Sequence, residues 1–214
     1  MSPSPPSEHN TSTDKESIDE LIQQLSTEDP ITRCQVIKTL GRLGPEATNA
    51  LPSIRKALID PDFKIRLEAA VALGFIGTKD DSQYLLPLLD DEEEAVRFQT
   101  ISAIAFLRDS QATPELLKRY DQETLHVKDQ ILRALGHLGG DGVFNLLQRE
   151  LTANHPTLRT GAVVGFGFLG DHRACTLLQE VADKDPDRIV AHEARIAILQ
   201  LQDSCNPDAK QIRK

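Results

Sequence analysis

The chain contains no Trp, two Tyr and one Met, and aromatic residues make up only 4% of its 214 positions. Small aliphatic residues must therefore form most of the core, and such a core fits closely packed helices better than a β-sandwich. Cysteine is also scarce, with three widely spaced residues (Cys34, Cys175 and Cys205) and no C-x-x-C motif. This odd number argues against a disulfide framework or a zinc motif and favours a reducing compartment.

The sequence has no long run of Lys or Arg and no apolar run of membrane-spanning length. Its net charge of −9 argues against non-specific binding to nucleic acid, which depends on basic side chains that neutralise phosphates. The same charge argues against an anionic membrane surface as the main partner. The N-terminus lacks the apolar core of a signal peptide. We therefore expect a cytoplasmic protein with no nucleic-acid partner and no membrane insertion.

Polar tails are expected at both ends. Residues 1–15 are rich in Ser, Pro and Thr and cannot bury enough apolar surface to offset the entropy of ordering, so we expect a disordered N-terminal tail. A capping-box pattern predicts that the first helix starts at Ser17. One continuous domain is expected over residues 16–203, followed by a C-terminal tail over residues 204–214.

Five stretches of the sequence repeat the same pattern. Each carries a basic residue, a small residue eight positions later and, in four of the five, a Gly eleven positions later. The separations between the basic residues are 33, 31, 31 and 31, a regularity that indicates an internal helical repeat. We number positions in each unit from this basic residue, which is Arg33, Arg66, Arg97, Lys128 or Arg159.

A less regular amphipathic stretch precedes each copy, so the unit is helix A, a turn and helix B. The Gly at position +11 is typical of a left-handed helix C-terminal cap. A sixth unit, which ends in residues 189–203, has lost the glycines, as expected of the terminal repeat of a solenoid. We therefore predict an all-α fold, a right-handed α–α superhelix of about six short HEAT-like helix pairs.

The segment DPDFKIRLEAAVALGFIG (60–77) carries the most complete copy of the pattern. It resembles the short HEAT repeat of phycobilisome-lyase-like proteins, and the resemblance covers roughly residues 16–203. That group includes subunits that attach or remove bilins on phycobiliproteins, phycobilisome-degradation proteins and interaction scaffolds. The resemblance carries no catalytic residue onto this chain, because the matching positions are structural. A bilin cofactor is expected only if the lyase alternative holds.

The basic residues at position zero allow two interpretations. They could form an anion-binding strip, or a structural ladder in which each pairs with an Asp of an A-to-B turn, such as Asp29, Asp60 or Asp62. We favour the ladder, because equivalent positions of a repeat first serve the contacts between repeats.

Positions +1, +5 and +9 lie opposite the apolar side of helix B and should face the groove of a HEAT-like solenoid. Three of the seven Phe occupy position +9, which suggests a partner-binding patch. Alternatively, these rings could pack against the neighbouring unit. The residues at these positions are Cys34, Lys38, Arg42, Leu67, Val71, Phe75, Phe98, Ser102, Phe106, Asp129, Arg133, His137, Thr160, Val164 and Phe168.

The first functional hypothesis is a non-enzymatic adaptor that holds a protein partner, a phycobiliprotein or another cytoplasmic protein, in this groove. Its predicted apolar contacts are Leu67, Val71, Phe75, Phe98, Phe106, Val164 and Phe168. Its predicted polar contacts are Cys34, Arg42, Arg133 and His137. The second is a subunit of a bilin lyase or a phycobilisome assembly or degradation factor. The third is a partner in iron–sulfur or metal handling through Cys34 or Cys205. No catalytic residue and no metal ligand set is assigned.

Overall fold

The structure is a computed structural model that describes residues 11–201 of the chain. The first ten positions of the expected N-terminal tail and the whole expected C-terminal tail lie outside these residues, as does Cys205. The first helix begins at Thr11, six positions before the expected start at Ser17. The described residues divide into two compact units, with the division between Thr78 and Lys79.

The first unit consists of two helix pairs. A 3₁₀ segment at Gly44–Ala50 leads into the second pair, where Pro at positions 45 and 52 limits longer α-helix. In chain order the helices are α1 (Thr11–Gln24), α2 (Pro30–Leu43), α3 (Leu51–Ala57) and α4 (Phe63–Ile76).

The second unit consists of four further helix pairs. Short 3₁₀ segments at Lys79–Asp81, Leu86–Asp90, Ser110–Ala112 and Tyr120–Gln122 flank its first two A helices. In chain order the helices are α5 (Ser82–Leu85), α6 (Glu94–Leu107), α7 (Thr113–Arg119), α8 (Leu125–Leu138), α9 (Val143–Glu150), α10 (Pro156–Leu169), α11 (Ala174–Lys184) and α12 (Arg188–Gln200).

The even-numbered helices are the B helices of the repeat. The first five of them each span 14 residues, and every one starts from an N-cap residue in extended conformation, which lies four positions before position zero. Asp29, Asp62 and Asp187 accept hydrogen bonds from backbone amides of the first turn. Such caps satisfy amides that have no partner within the helix and fix where it begins.

The B helices end in two ways. Gly44, Gly139 and Gly170 have positive φ values of 58°, 65° and 72°, but of these three only Gly170 adopts the left-handed helical conformation that the sequence predicts for this cap. Gly77 does not follow this prediction, because its φ is −73° with an extended ψ. Arg108 takes the left-handed conformation without being glycine, with φ 55° and ψ 38°.

Apolar residues on one side of each B helix form the core. On α8 these are Val127, Ile131, Leu132 and Leu135, all fully buried. This side corresponds to positions −1, +3, +4 and +7, as the helical periodicity predicts. Consequently positions +1, +5 and +9 lie on the other side, and we call that side of the B helices the B face.

Candidate partner-binding face

The arginines at position zero fix each B helix to the turn before it. In Arg33, Arg66, Arg97 and Arg159, one guanidinium nitrogen donates hydrogen bonds to the backbone carbonyls five and six positions earlier, at distances of 2.9–3.3 Å. These carbonyls belong to the A-to-B turn. A single side chain therefore holds the turn closed and sets the direction in which the helix leaves it.

The other edge of the guanidinium reaches a carboxylate of the following repeat. Arg159 Nε lies 2.7 Å from Asp185 Oδ2, and their side chains are 11% and 5% exposed. The same contact joins Arg97 to Glu123 at 3.1 Å. The hydrogen bond with Arg159 lowers the pKa of Asp185, and the same bond to the Asp185 carboxylate raises the pKa of Arg159.

In the first unit the pairing uses one of the three aspartates named from the sequence. Asp60 Oδ2 lies 3.3 Å from Arg33. Asp29 and Asp62 act instead as helix caps, since their carboxylates accept amide hydrogen bonds from the start of α2 and of α4. The carboxylate that pairs with Arg33 thus comes from the next turn along the chain and not from its own turn.

Lys128 occupies position zero of α8 and makes a different contact. Its ammonium lies 5.5 Å from the centroid of the Tyr120 ring, within the range of a cation–π interaction. The position 26 residues later, which carries Glu123 or Asp185 in the neighbouring repeats, is Asn154 here. A lysine over a buried ring therefore replaces the ion pair where the next turn offers no carboxylate.

Position +9 is exposed in every B helix that carries an aromatic ring there. The exposed fractions are 50% for Phe75, 67% for Phe106 and 42% for Phe168. Arg42 and His137, at the same position, are exposed as well. These phenylalanine rings therefore lie outside the core, and Phe168 also packs on His137 of the preceding repeat, as the alternative interpretation expected.

The remaining predicted contact residues lie lower on the B face. They are neither fully buried nor fully exposed. These half-buried residues are Cys34, Leu67, Val71, Phe98, Arg133 and Val164.

In the second unit, the repeat brings two of the exposed rings into contact. His137 stacks on Phe168 with the ring centroids 3.7 Å apart and the planes 23° from parallel. This contact depends on glycine at the crossing of α8 and α10. A Cβ on Gly136 would overlap the carbonyl oxygen of Gly165 and lie 2.7 Å from its Cα, so only glycine allows the two backbones this close. We call Phe106, His137 and Phe168 the aromatic row.

An open cleft of about 540 Å³ lies along the aromatic row. Gln130 donates a hydrogen bond to Ser102 Oγ at 2.9 Å, which ties the floor of the cleft across α6 and α8. Arg133 is held by Asp129 of the same helix at 2.9 Å. The residues that line the cleft are Ser102, Ala105, Phe106, Arg108, Gln130, Arg133, Ala134, His137 and Phe168.

In the described part of the chain, the residues that line the cleft include cations but no anion, although the net charge of the chain is −9. Among the described residues that line it, Arg108 and Arg133 carry positive charge and none carries a carboxylate. Partial burial, reinforced by the nearby charge of Arg108, lowers the pKa of His137. His137 is therefore uncharged at neutral pH and presents a ring rather than a third cation.

Sequence reasoning missed Arg108 and Gln130 as parts of this cleft. Gln130 lies at position +2, outside the three positions counted as the B face. For Arg108 a signal was present: it occupies position +11, where the other four repeats have Gly. An L-residue in the left-handed region costs roughly 1–2 kcal/mol, so an arginine there is a departure that calls for an explanation.

The first unit has a smaller cleft on its own part of the B face, with a volume of about 230 Å³. Phe75 and Val71 line it beside Arg42. Lys38 closes one edge through an ion pair of 3.0 Å with Glu68, and this hydrogen bond raises the pKa of Lys38. The combination of an exposed Phe and an Arg near the end of a B helix thus occurs in both units.

The cysteines form no common site in the part of the chain that the structure describes. Cys34 is free and half-buried, whereas Cys175 takes part in a disulfide bond, contrary to the expectation of reduced thiols. Within residues 11–201 there is no cluster of three or more His, Cys, Asp or Glu that could hold a metal ion. No described helix is long and apolar enough to cross a membrane.

Comparison with known proteins agrees with this repeat architecture. Residues 18–105, 60–127 and 113–199 match HEAT repeats, and together these matches span most of the chain. The chain belongs to the HEAT repeat family. Its fold class, predicted from the sequence as an all-α fold of HEAT-like helix pairs, is therefore confirmed.

One similar protein is the uncharacterized phycocyanin operon protein Y of Pseudanabaena tenuis (strain PCC 7409). It is 36% identical over 116 residues, which are 53% of this HEAT repeat chain and 27% of that protein. The chain therefore matches only a minor part of the length of this relative. The match nevertheless confirms the resemblance to phycobilisome-lyase-like HEAT proteins that the sequence pattern indicated.

Solved structures show the same fold. The complex of CpcE and CpcF of phycocyanin lyase from Nostoc sp. PCC7120 has a TM-score of 0.56 and 21% identity, over 93% of this chain and 80% of that chain. The designed armadillo repeat protein YIII(Dq.V1)4CPAF in complex with peptide (KR)4 has a TM-score of 0.61 and 18% identity, over 86% of this chain and 99% of that chain. Identities this low indicate a shared fold only.

Proposed function

We propose that this HEAT repeat protein is a non-enzymatic scaffold that holds a protein partner on the B face, with the aromatic row of the second unit as the main contact. The observation that carries the proposal is the exposure of Phe106 and Phe168 on the side of the B helices opposite the core. Large apolar rings exposed beside one another mark interaction sites more often than isolated exposed residues do. Aromatic and arginine side chains also dominate the binding energy of protein interfaces.

The rigidity of the cleft also supports this function. The Gly136–Gly165 crossing and the His137–Phe168 stack hold these two rings in one arrangement before any partner arrives. A pre-ordered surface loses less conformational entropy on binding, so more of the contact energy remains as affinity.

Capture from a lysate of the source organism tests the proposal. The double variant Phe106→Ala/Phe168→Ala should lose a partner that the wild-type protein retains, while its circular dichroism stays unchanged because both rings are exposed. Tyr84→Ala is the matched control, because Tyr84 is also an exposed aromatic residue, 40% exposed, but lies on α5, which is an A helix. Normal capture by the double variant would eliminate the proposal.

A second candidate function is that of a subunit of a bilin lyase or a phycobilisome assembly or degradation factor. Two similarities favour it, namely the relative named as a phycocyanin operon protein and the fold shared with a phycocyanin lyase complex. In that case the partner would be a phycobiliprotein or a second lyase subunit. Absorption spectra with phycocyanobilin test this function, alone and with a co-expressed phycobiliprotein. A spectral shift that requires the protein supports it, and an unchanged spectrum contradicts it.

A further inference from the structure

Arg108 is placed in the cleft by a backbone conformation that glycine would adopt more easily. It ends α6 with φ 55° and ψ 38°, and it is the one non-glycine residue with positive φ among residues 11–201. Backbone strain of this kind persists when the surrounding structure holds it, and it concentrates at functional sites. The strained backbone at Arg108 therefore indicates that its side chain has a function in the cleft.

The side chain of Arg108 contributes charge to the aromatic row. It lines the same cleft as Phe106 and Phe168. Arg133 adds a second cation, but its charge is partly compensated by the ion pair with Asp129. The cleft thus combines exposed rings with an arginine that glycine could replace without harm to the helix end. An anionic group beside an apolar side chain would complement both features.

We propose that the occupant of this cleft is an acidic amphipathic segment of the protein partner. Its apolar side chains pack on Phe106 and Phe168, and a carboxylate pairs with Arg108. This inference rests on the proposed scaffold function and goes further, because it specifies that the partner segment is acidic and gives Arg108 a role in binding it. Guanidinium and carboxylate groups form two parallel hydrogen bonds, which adds direction to the contact.

The test uses labelled peptides of about 14 residues, long enough for nearly four helical turns. The first peptide has Leu and Phe on one helical face and Glu on the other, and the second has Lys in place of every Glu. A single-stranded oligonucleotide of comparable charge serves as the third probe. Fluorescence anisotropy should show binding of the Glu peptide alone, and Phe106→Ala should weaken it by about tenfold, as expected for an aromatic anchor.

Arg108→Gly separates a binding role from a structural one. Glycine fits the left-handed conformation, so the urea midpoint of the variant should rise while its affinity for the Glu peptide falls by about tenfold. Arg188→Gln is the matched control, because it removes one positive charge from an exposed position in α12 and should leave the affinity unchanged. If Arg108 served only the helix end, replacement by Gly would not weaken binding.

Three results would overturn the inference. The first is that the Lys peptide or the oligonucleotide binds as tightly as the Glu peptide or more tightly. The second is that Arg108→Gly and Arg188→Gln lose the same affinity, and the third is that the Glu peptide does not bind the wild-type protein. These results are distinguishable from failure of the scaffold function itself. If Phe106→Ala/Phe168→Ala abolishes lysate capture but the Glu peptide does not bind, the scaffold function stands and the acidic partner is excluded.

Discussion

Replacement of Gly136 by Ala tests whether the close crossing of α8 and α10 positions the aromatic row. The added methyl group would lie 2.7 Å from Gly165 Cα and overlap its carbonyl oxygen. Non-bonded carbon atoms normally approach to about 3.5–4.0 Å, so the helices would have to separate by roughly 1 Å. Because the obstacle is backbone, no side-chain rotation can relieve the overlap.

Two opposing free energies decide the outcome. Ala is favoured over Gly in a helix interior by about 1 kcal/mol, whereas overpacking a fitted core costs about 1–3 kcal/mol and occasionally more. A clash against backbone belongs at the upper end of that range. We therefore expect Gly136→Ala to lower the free energy of unfolding by about 2 kcal/mol, to be measured by urea denaturation followed by circular dichroism.

The same repeat position provides the control. Gly167 is also at position +8, but its added methyl would meet the flexible end of Gln200 and lie 3.4 Å from Ala197 Cβ. Gly167→Ala should therefore be neutral or stabilising by up to about 1 kcal/mol. If Gly136→Ala were as stable as Gly167→Ala, the backbone contact would not control the crossing. The explanation of the His137–Phe168 stack would then fail.

The other expectations concern the ladder and the cleft. Asp185→Asn should cost about 3 kcal/mol at neutral pH because it leaves Arg159, whose side chain is only 11% exposed, without its anion. The lowered folded-state pKa of Asp185 means that this difference shrinks in urea titrations as pH falls below the ordinary value of 3.8; a constant difference would refute it. Lys128→Arg/Asn154→Asp should create an ion pair between positions 128 and 154, like that of Arg159 with Asp185, and raise the free energy of unfolding by about 1 kcal/mol. An unchanged free energy of unfolding would contradict the idea that a carboxylate 26 positions after position zero stabilises the repeat. Because the pKa of His137 is lowered in the folded state, wild-type stability should drop as pH falls through 6.5, and His137→Phe should reduce that drop.

The periodic positions of the sequence were enough to predict the helix pairs and their buried sides. A basic residue, a small residue and a terminal Gly recurring near 31 residues leave little freedom in how a B helix begins, packs and ends. The same count correctly placed Phe75, Phe106 and Phe168 outside the core. Partner binding by the predicted contact residues stays a prediction.

Features that depend on three-dimensional packing could not be predicted. A periodic pattern does not tell whether Asp29 caps its own helix or pairs with an arginine, since both roles need a carboxylate in a turn. It does not show that Gly136 faces Gly165 rather than a flexible side chain. The exposure of Leu199 near the end of the last repeat could not be predicted either. Leu199 stands exposed at position +8 from Ala191, counting from the N-cap Asp187 as in the other units, where earlier repeats carry a small residue that faces the next helix.

Site-specific photo-crosslinking tests the central claim most directly. A photoreactive phenylalanine analogue placed at Phe106 keeps a ring on the B face, and the same analogue at Tyr84 probes an exposed aromatic position on α5, an A helix of the second unit. We expect irradiation in the source organism to join a protein partner to the analogue at position 106 and not to the one at position 84. Equal crosslinking at both positions, or crosslinking at position 84 alone, would contradict the assignment of the B face as the partner surface.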